Sequence, residues 1–445
     1  MRTIIICICA WSLGAASIKG ASPTNSPASD TVTVTPEYVN QLAEQMRTNH
    51  PAIKAAWART NAAAANAASI RTWEDPMVDL GGLAAEESMR ADDGDIIYGI
   101  EQKLPIFGKP KAERQMARAE LATEMAGAEY RTQVLRSELA KAVFRAALAD
   151  VVVDLGREDL RWLDAMVQTM DSRYRSGQST LVETLQVQNE RARRAATLEN
   201  DIAQLSNDHV VLNRFLNRDL NAPWPKLQLP ELAAPIVFNQ KLVEYALRYE
   251  PLSAVKRREI QQAEAGVELA KRKSRPDLSA GVEARNYSAD GDFRQAMIVL
   301  RMSLPWANNS KYRQDIKREE ARKQAVEMEL MDYGQDLRQE VHSLTVKIAS
   351  ARREALLYAN EIMPRSESAL ASARAGWESG RNMFRDLLEA RRMLVEARLM
   401  HAKAIAEQYE MLSELVLCCG LGDLEALQML AAPAQTEPNA QTNEK

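Results

Sequence analysis

Landmarks of this 445-residue chain recur at an offset of 200: Pro51 with Pro251, Pro76 with Pro276, and Leu104-Pro105 with Leu304-Pro305. The turn ADDGD at 91–95 returns as SADGD at 288–292, and RSG at 175–177 returns as ESG at 378–380. Self-similarity in a fixed order constrains architecture more than any local motif, because each copy is one structural unit. Each copy is predicted to run short helix, two strands, long helix, sharp reversal, long helix. At its centre an alternating run closes on Leu-Pro and a long, charged, alanine-rich run opens. The first junction is Leu104-Pro105 with Gly108 shortly after it, and the second is Leu304-Pro305.

The alternation predicts strands with one apolar face. Ile96, Tyr98, Ile100 and Leu104 share a face, opposite Glu101 and Lys103. In the second copy Leu278, Ala280, Val282 and Ala284 oppose Ser279, Glu283 and Arg285, and Ala296, Ile298, Leu300, Met302 and Leu304 oppose Gln295 and Arg301. The Asp-Gly pairs between runs favour hairpin turns. The hairpins are expected at about 77–104 and 277–304. Their strands have the length and pattern of outer-membrane barrel strands, which need about 9–11 residues. Tyr98, Phe107, Tyr287, Phe293 and Trp306 lie near strand ends, where interfacial aromatics belong. An ordinary half-buried sheet is the competing reading. Four strands cannot close a barrel by themselves, so in lipid their edges need strands from other copies.

Long helices are predicted at about 109–174, 181–220, 310–376 and 384–418, with a linker of four prolines at 221–235. The first would extend about 100 Å, so it must lie in a bundle or coiled coil. The first repeat then spans 36–220 and the second 236–431. Aromatics at 5% are thin filling for a large compact core, whereas long helices can pack through small residues. The fold class is mainly α with a small β part.

Residues 1–20 carry Arg2, an apolar run and then small residues, the pattern of a secretory signal peptide. The apolar run is short for a membrane span. Cys7 and Cys9 fall inside it, too early for lipoprotein processing, so no lipid anchor is predicted. Residues 21–35 form an extended leader, and 432–445 a disordered tail. The remaining cysteines, Cys418 and Cys419, are adjacent, poorly placed to bridge each other and expected in the core. A net charge of −4 suggests no nucleic-acid partner.

No catalytic constellation appears. There is no Walker loop and no Gly-x-Ser-x-Gly. His50, His209, His342 and His401 are dispersed and form no metal-ligand pair in sequence. Met393, Met400 and Met411 suit helix packing better than copper relay. The chain is expected to be no enzyme and to hold no cofactor or metal.

The order of elements, EQKLPIFGK at 101–109 and WESGRNMFRDLLEARRMLVEARLMHA at 377–402 resemble the TolC family, most closely its heavy-metal, CzcC/CusC-type branch. The resemblance spans about 36–430. It implies a homotrimer in the outer membrane. Four strands per chain would complete a 12-stranded β-barrel above a helical barrel crossing the periplasm. It implies a duct receiving substrate from an inner-membrane pump, RND type, through a periplasmic adaptor. Metal cations are the cargo the branch suggests, with small organic drugs as the alternative. A periplasmic adaptor, or a structural coiled-coil envelope protein, is the competing reading of the whole chain. The adaptor reading fits one helical hairpin rather than two, and the coiled coil leaves the strands unexplained.

The resemblance also implies site residues. Asp386 and Glu389, three apart on one helix face, would line the narrow periplasmic end as stacked carboxylate rings. Their first-repeat counterparts are Glu183 and Gln186. The competing reading is a solvated helix surface paired with Arg385 or Arg392. The tips, Ser176, Gly177 and Gln178 with Ser379, Gly380 and Arg381, are candidates for adaptor docking.

Overall fold

The computed structural model describes residues 31–83, 95–287, 291–422 and 426–427. The expected signal peptide, most of the leader, most of both Asp-Gly turns and the expected tail lie outside the described residues.

Two short helices, α1 (Pro36–Asn49) and α2 (Pro51–Ser69), follow a two-residue strand, β1 (Val32–Thr33). Each helix has proline in its first turn, where no N–H is needed, behind a capping side chain from Thr35 or His50. The first hairpin is β2 (Met77–Leu83) and β3 (Asp95–Leu104). It leads into α3 (Lys109–Arg175) and α4 (Leu181–Leu216). The linker holds β4 (Leu227–Gln228), which pairs in parallel with β1, a contact the sequence reading did not foresee. The second half repeats the order: α5 (Gln240–Tyr249), α6 (Pro251–Lys273), β5 (Leu278–Tyr287), β6 (Phe293–Met302), α7 (Asn309–Leu357), α8 (Met363–Glu378) and α9 (Phe384–Cys418).

Two helices differ from expectation. α4 stops at Leu216, because Asn217 turns left-handed at φ 52°. The helix expected over 310–376 is interrupted by a π-turn at Tyr358–Ile362. Pro364 follows it closely. Proline lacks an N–H and clashes with the carbonyl four residues back, and a widened turn absorbs both defects. The strand-to-helix junctions are short 3-10 turns, Ile106–Gly108 and Pro305–Asn308. In the first, Phe107 and Gly108 are both left-handed, at φ 65° and 73°.

The four longer strands form one antiparallel sheet in the order β2-β3-β5-β6. Its register sets Leu80 beside Tyr98, Ile100 beside Val282 and Val282 beside Ile298, so one face is apolar across the sheet. That face is uncovered: Leu80 is 81% exposed and Ile298 80%. The opposite face is charged. Arg301 pairs with Glu101, which also accepts from Ser279, and Arg294 pairs with Asp95 at 2.6 Å. At the base Lys109 reaches Asp277 at 2.7 Å, tying α3 to the second hairpin.

The main core lies mid-length between the helices. Phe144 is fully buried and stacks on Tyr409 with centroids 4.9 Å apart. Asp150 accepts from the Leu227 amide at 2.8 Å, anchoring β4 to α3. Much of the packing uses alanine, such as Ala146 and Ala147, both fully buried. Small side chains let long helices approach, and at Gly156 a Cβ would meet Leu198 of α4 at 2.9 Å.

Candidate functional site

The ends of the two helical hairpins, far from the sheet along α3, hold the residues singled out in the sequence. Both tips close the same way. At the first, Gly177 is left-handed at φ 72°, and the Gln178 amide donates to the Arg173 carbonyl at 2.8 Å. At the second, Gly380 has φ 74°, and the Arg381 amide donates to the Gly376 carbonyl at 2.8 Å. These are the bonds that satisfy the last carbonyls of a helix. Ser176 and Ser379 each donate a hydroxyl back to the preceding turn, at 3.0 and 3.1 Å. Ser176, Gly177, Gln178, Ser379, Gly380 and Arg381 are all exposed. A Cβ on Gly177 or Gly380 would meet nothing within 4 Å. Backbone conformation, not crowding, therefore requires glycine there.

Beneath the tips a second core joins the hairpins. Trp377 packs edge-on against Phe384 at 5.9 Å, and the Arg173 guanidinium lies 4.0 Å over the Trp377 ring. Leu163, Met170 and Val187 fill the rest.

The two repeats then diverge. Thr180 caps α4: its hydroxyl oxygen accepts from the Glu183 amide at 3.3 Å, and the Glu183 carboxylate accepts from the Thr180 amide at 3.0 Å. This reciprocal capping box occupies Glu183. In α9 the cap position is Met383, whose side chain makes no cap hydrogen bond, and Asp386 stands where Glu183 stands in α4. Asp386 and Glu389 are both exposed. Among the described residues Asp386 has no ion pair, with Arg385 or otherwise. Glu389 comes within 3.8 Å of Arg392, but Arg392 is held closer by Glu190, at 2.5 Å. The structure brings Asp386 and Glu389 onto one exposed face beside the tip and leaves Gln186 exposed on α4.

The sequence reading missed the network behind them. Arg391, 7% exposed, donates to Asp159 at 3.0 Å and to Glu158 at 3.3 Å. Arg398 pairs with the same Glu158 at 3.2 Å, and Arg194 approaches Asp159 at 3.6 Å. These contacts bind α9 to α3 and α4. Arg391 and Arg398 are more than 200 residues from Glu158 and Asp159 along the chain, so no local spacing marks them. Exposed Leu181, Val182 and Leu185 beside the first tip, and Met383 beside the second, were also missed.

The histidines hold structural places. His50 caps α2, accepting from the Ala52 amide at 3.2 Å, and His342 meets the Phe238 ring at 5.0 Å. Burial lowers the pKa of His209 and His401. Burial also pushes the Cys419 thiol up to about 12 and raises Cys418. Among the described residues no group of three or more His, Cys, Asp or Glu could hold a metal ion. No described helix is long and apolar enough to cross a membrane.

A stretch of 186 residues is 24% identical to the cobalt-zinc-cadmium resistance protein CzcC of Cupriavidus metallidurans, covering 41% of this chain and 42% of that protein. The match thus spans less than half of this relative. The outer membrane protein VceC of Vibrio cholerae has the same fold, with a TM-score of 0.72 at 17% identity over 87% of this chain and 97% of that one. The CmeC outer membrane channel of Campylobacter jejuni gives 0.73 at 14% identity, over 90% and 92%. CusC gives 0.72 at 17% identity, over 86% and 92%. The outer membrane efflux protein family matches residues 42–218 and again 242–421, once in each half. With most of its length matched in these two blocks, the chain belongs to the outer membrane efflux protein family.

Proposed function

We propose that three copies of this chain form the outer-membrane duct of a tripartite efflux system. The observation that carries this reading is the four-stranded sheet, with its uncovered apolar face, its charged opposite face and its two open edges, β2 and β6. In hydrocarbon each unsatisfied backbone group costs several kcal/mol. Pairing β6 of one copy with β2 of the next removes every edge, and three four-stranded sheets give twelve strands, an even number suited to such barrels. The charged face then lines the lumen. The helices continue the duct into the periplasm, after export directed by residues 1–20. The halves 36–220 and 236–431 each contribute one hairpin to the barrel and one helical hairpin to the tunnel.

At the far end the tips around Gly177 and Gly380 meet a periplasmic adaptor, which links the duct to an inner-membrane pump of RND type. Asp386 and Glu389 form stacked carboxylate rings at the narrow mouth, which favour cations. The likeness to a cobalt-zinc-cadmium resistance protein supports metal cations as cargo. They pass through water and need no fixed ligand set.

Fractionation followed by light scattering in mild detergent tests the assembly. The expected result is three 49.7 kDa chains, less the cleaved segment, in the outer-membrane fraction. A soluble periplasmic monomer overturns the duct and revives the adaptor or coiled-coil reading.

A further inference from the structure

At the base of the sheet the segment between α2 and β2 turns across the start of α3. Arg114 holds it there, donating to the Ile70 carbonyl at 3.0 Å and to the Thr72 hydroxyl at 3.2 Å. Two contiguous clefts result, of about 760 and 380 Å³, which share Thr72, Arg114 and Arg118. Arg71 lines one and Lys111 the other. Lys111, Arg114 and Arg118 fall on one face of α3 by their spacing. Arg71, Lys111 and Arg118 are exposed, and among the described residues none has an ion pair. Two carboxylates also line the larger cleft: Glu74, taken by Lys103 at 2.7 Å, and the exposed Asp75. Across the two clefts Arg71, Lys111, Arg114 and Arg118 outnumber Glu74 and Asp75, so positive charge is in excess.

Their placement says what kind of anion fits. Gln102 lines the larger cleft and belongs to the same strand face as Ile96, Tyr98 and Ile100. The larger cleft therefore reaches the uncovered apolar side of the sheet near its base, where Gln102 interrupts the apolar run between Ile100 and Leu104. Trp73, 54% exposed, stands in its wall. Cations next to an amphipathic ring, at the edge of an apolar belt, match a lipid headgroup with its acyl chains lying along the strands. A free anion needs the charge but not the apolar neighbour.

We propose that this cleft binds the phosphate headgroup of an anionic phospholipid in the periplasm-facing leaflet. The proposal rests on the outer-membrane reading above. Arg71 and Arg118 supply the charge, Arg114 keeps the cleft in shape, and Trp73 marks the headgroup level.

The test titrates the detergent-purified complex with phosphatidylglycerol and counts bound lipid by native mass spectrometry. Membrane fractionation comes first, so a chain that fractionates as soluble protein is recognised as a failure of the outer-membrane reading itself. The variant is R71Q/R118Q, which leaves Arg114 in place. The expected result is about tenfold weaker phosphatidylglycerol binding in the variant, with the trimer intact. Weaker binding of phosphatidylcholine, and no displacement by excess inorganic phosphate, support the lipid assignment. Equal binding by the variant overturns the proposal. Displacement by inorganic phosphate overturns it in favour of a free-anion site. Loss of the trimer overturns it in favour of a contact between subunits.

Discussion

Asp386 and Glu183 occupy the same place in their helices, the third residue after the cap, yet only Glu183 is engaged by one. Thr180 takes Glu183, and Met383 cannot take Asp386. The two acids should therefore fail differently. Replacing Asp386 and Glu389 with alanine should raise single-channel conductance in a bilayer and weaken divalent-cation block by about tenfold, since each of the proposed rings would gather several like charges. Unchanged conductance and block would remove these residues from the proposed narrow mouth. Replacing Glu183 with alanine should instead cost about 1 kcal/mol of local stability and leave block unaltered. Asp386 and Glu389 were legible in the sequence only through resemblance and their three-residue spacing. That one carboxylate of the related pair is occupied depends on a cap hydrogen bond, which spacing does not encode. The buried Arg391 was not legible at all, because Glu158 and Asp159 come to it from another helix.

At the scale of elements, the two tips are built from local bonds, and local chemistry made them readable. Gly177 sits among small polar residues just past a long proline-free run, and Gly380 lies in the ESG that repeats RSG in the second half. A Cβ at Gly380 meets no neighbour within 4 Å, so the main cost of a side chain there is the left-handed backbone, about 1–2 kcal/mol. The expected outcome for Gly380→Val is a trimer of normal mass that no longer supports resistance, read by size measurement and growth on the toxic cargo together. If the trimer disappears as well, the glycine serves folding rather than docking. The strands were readable for a similar reason, since alternation and Leu-Pro punctuation are written in consecutive residues. The β1–β4 pair was not, because two residues carry no period. Neither was the π-turn, whose cause, Pro364, acts through its clash with the turn before it.

For the whole molecule, the sheet decides what kind of assembly is possible. Leu80 lies on an edge strand and is the most exposed apolar side chain of the outer face. Leu80→Lys should cost about 2–4 kcal/mol per chain if it sits near the bilayer midplane. The expected phenotype is helical protein, by circular dichroism, that accumulates outside the outer-membrane fraction. Normal insertion of this variant would argue that the face meets protein rather than lipid. The sheet also joins distant parts of the chain. β3 and β5 are neighbours, yet Tyr98 and its partner Ala284 are separated by two long helices and the linker. Contacts so far apart in sequence form slowly. At about 5–20 residues per second, the segment of the first hairpin is synthesised on the order of ten seconds before its partner strand. Throughout that interval its apolar residues lack the strand they pair with. The order of the strands along the chain thus asks of its assembly that the first hairpin's segment be kept from other partners until β5 arrives.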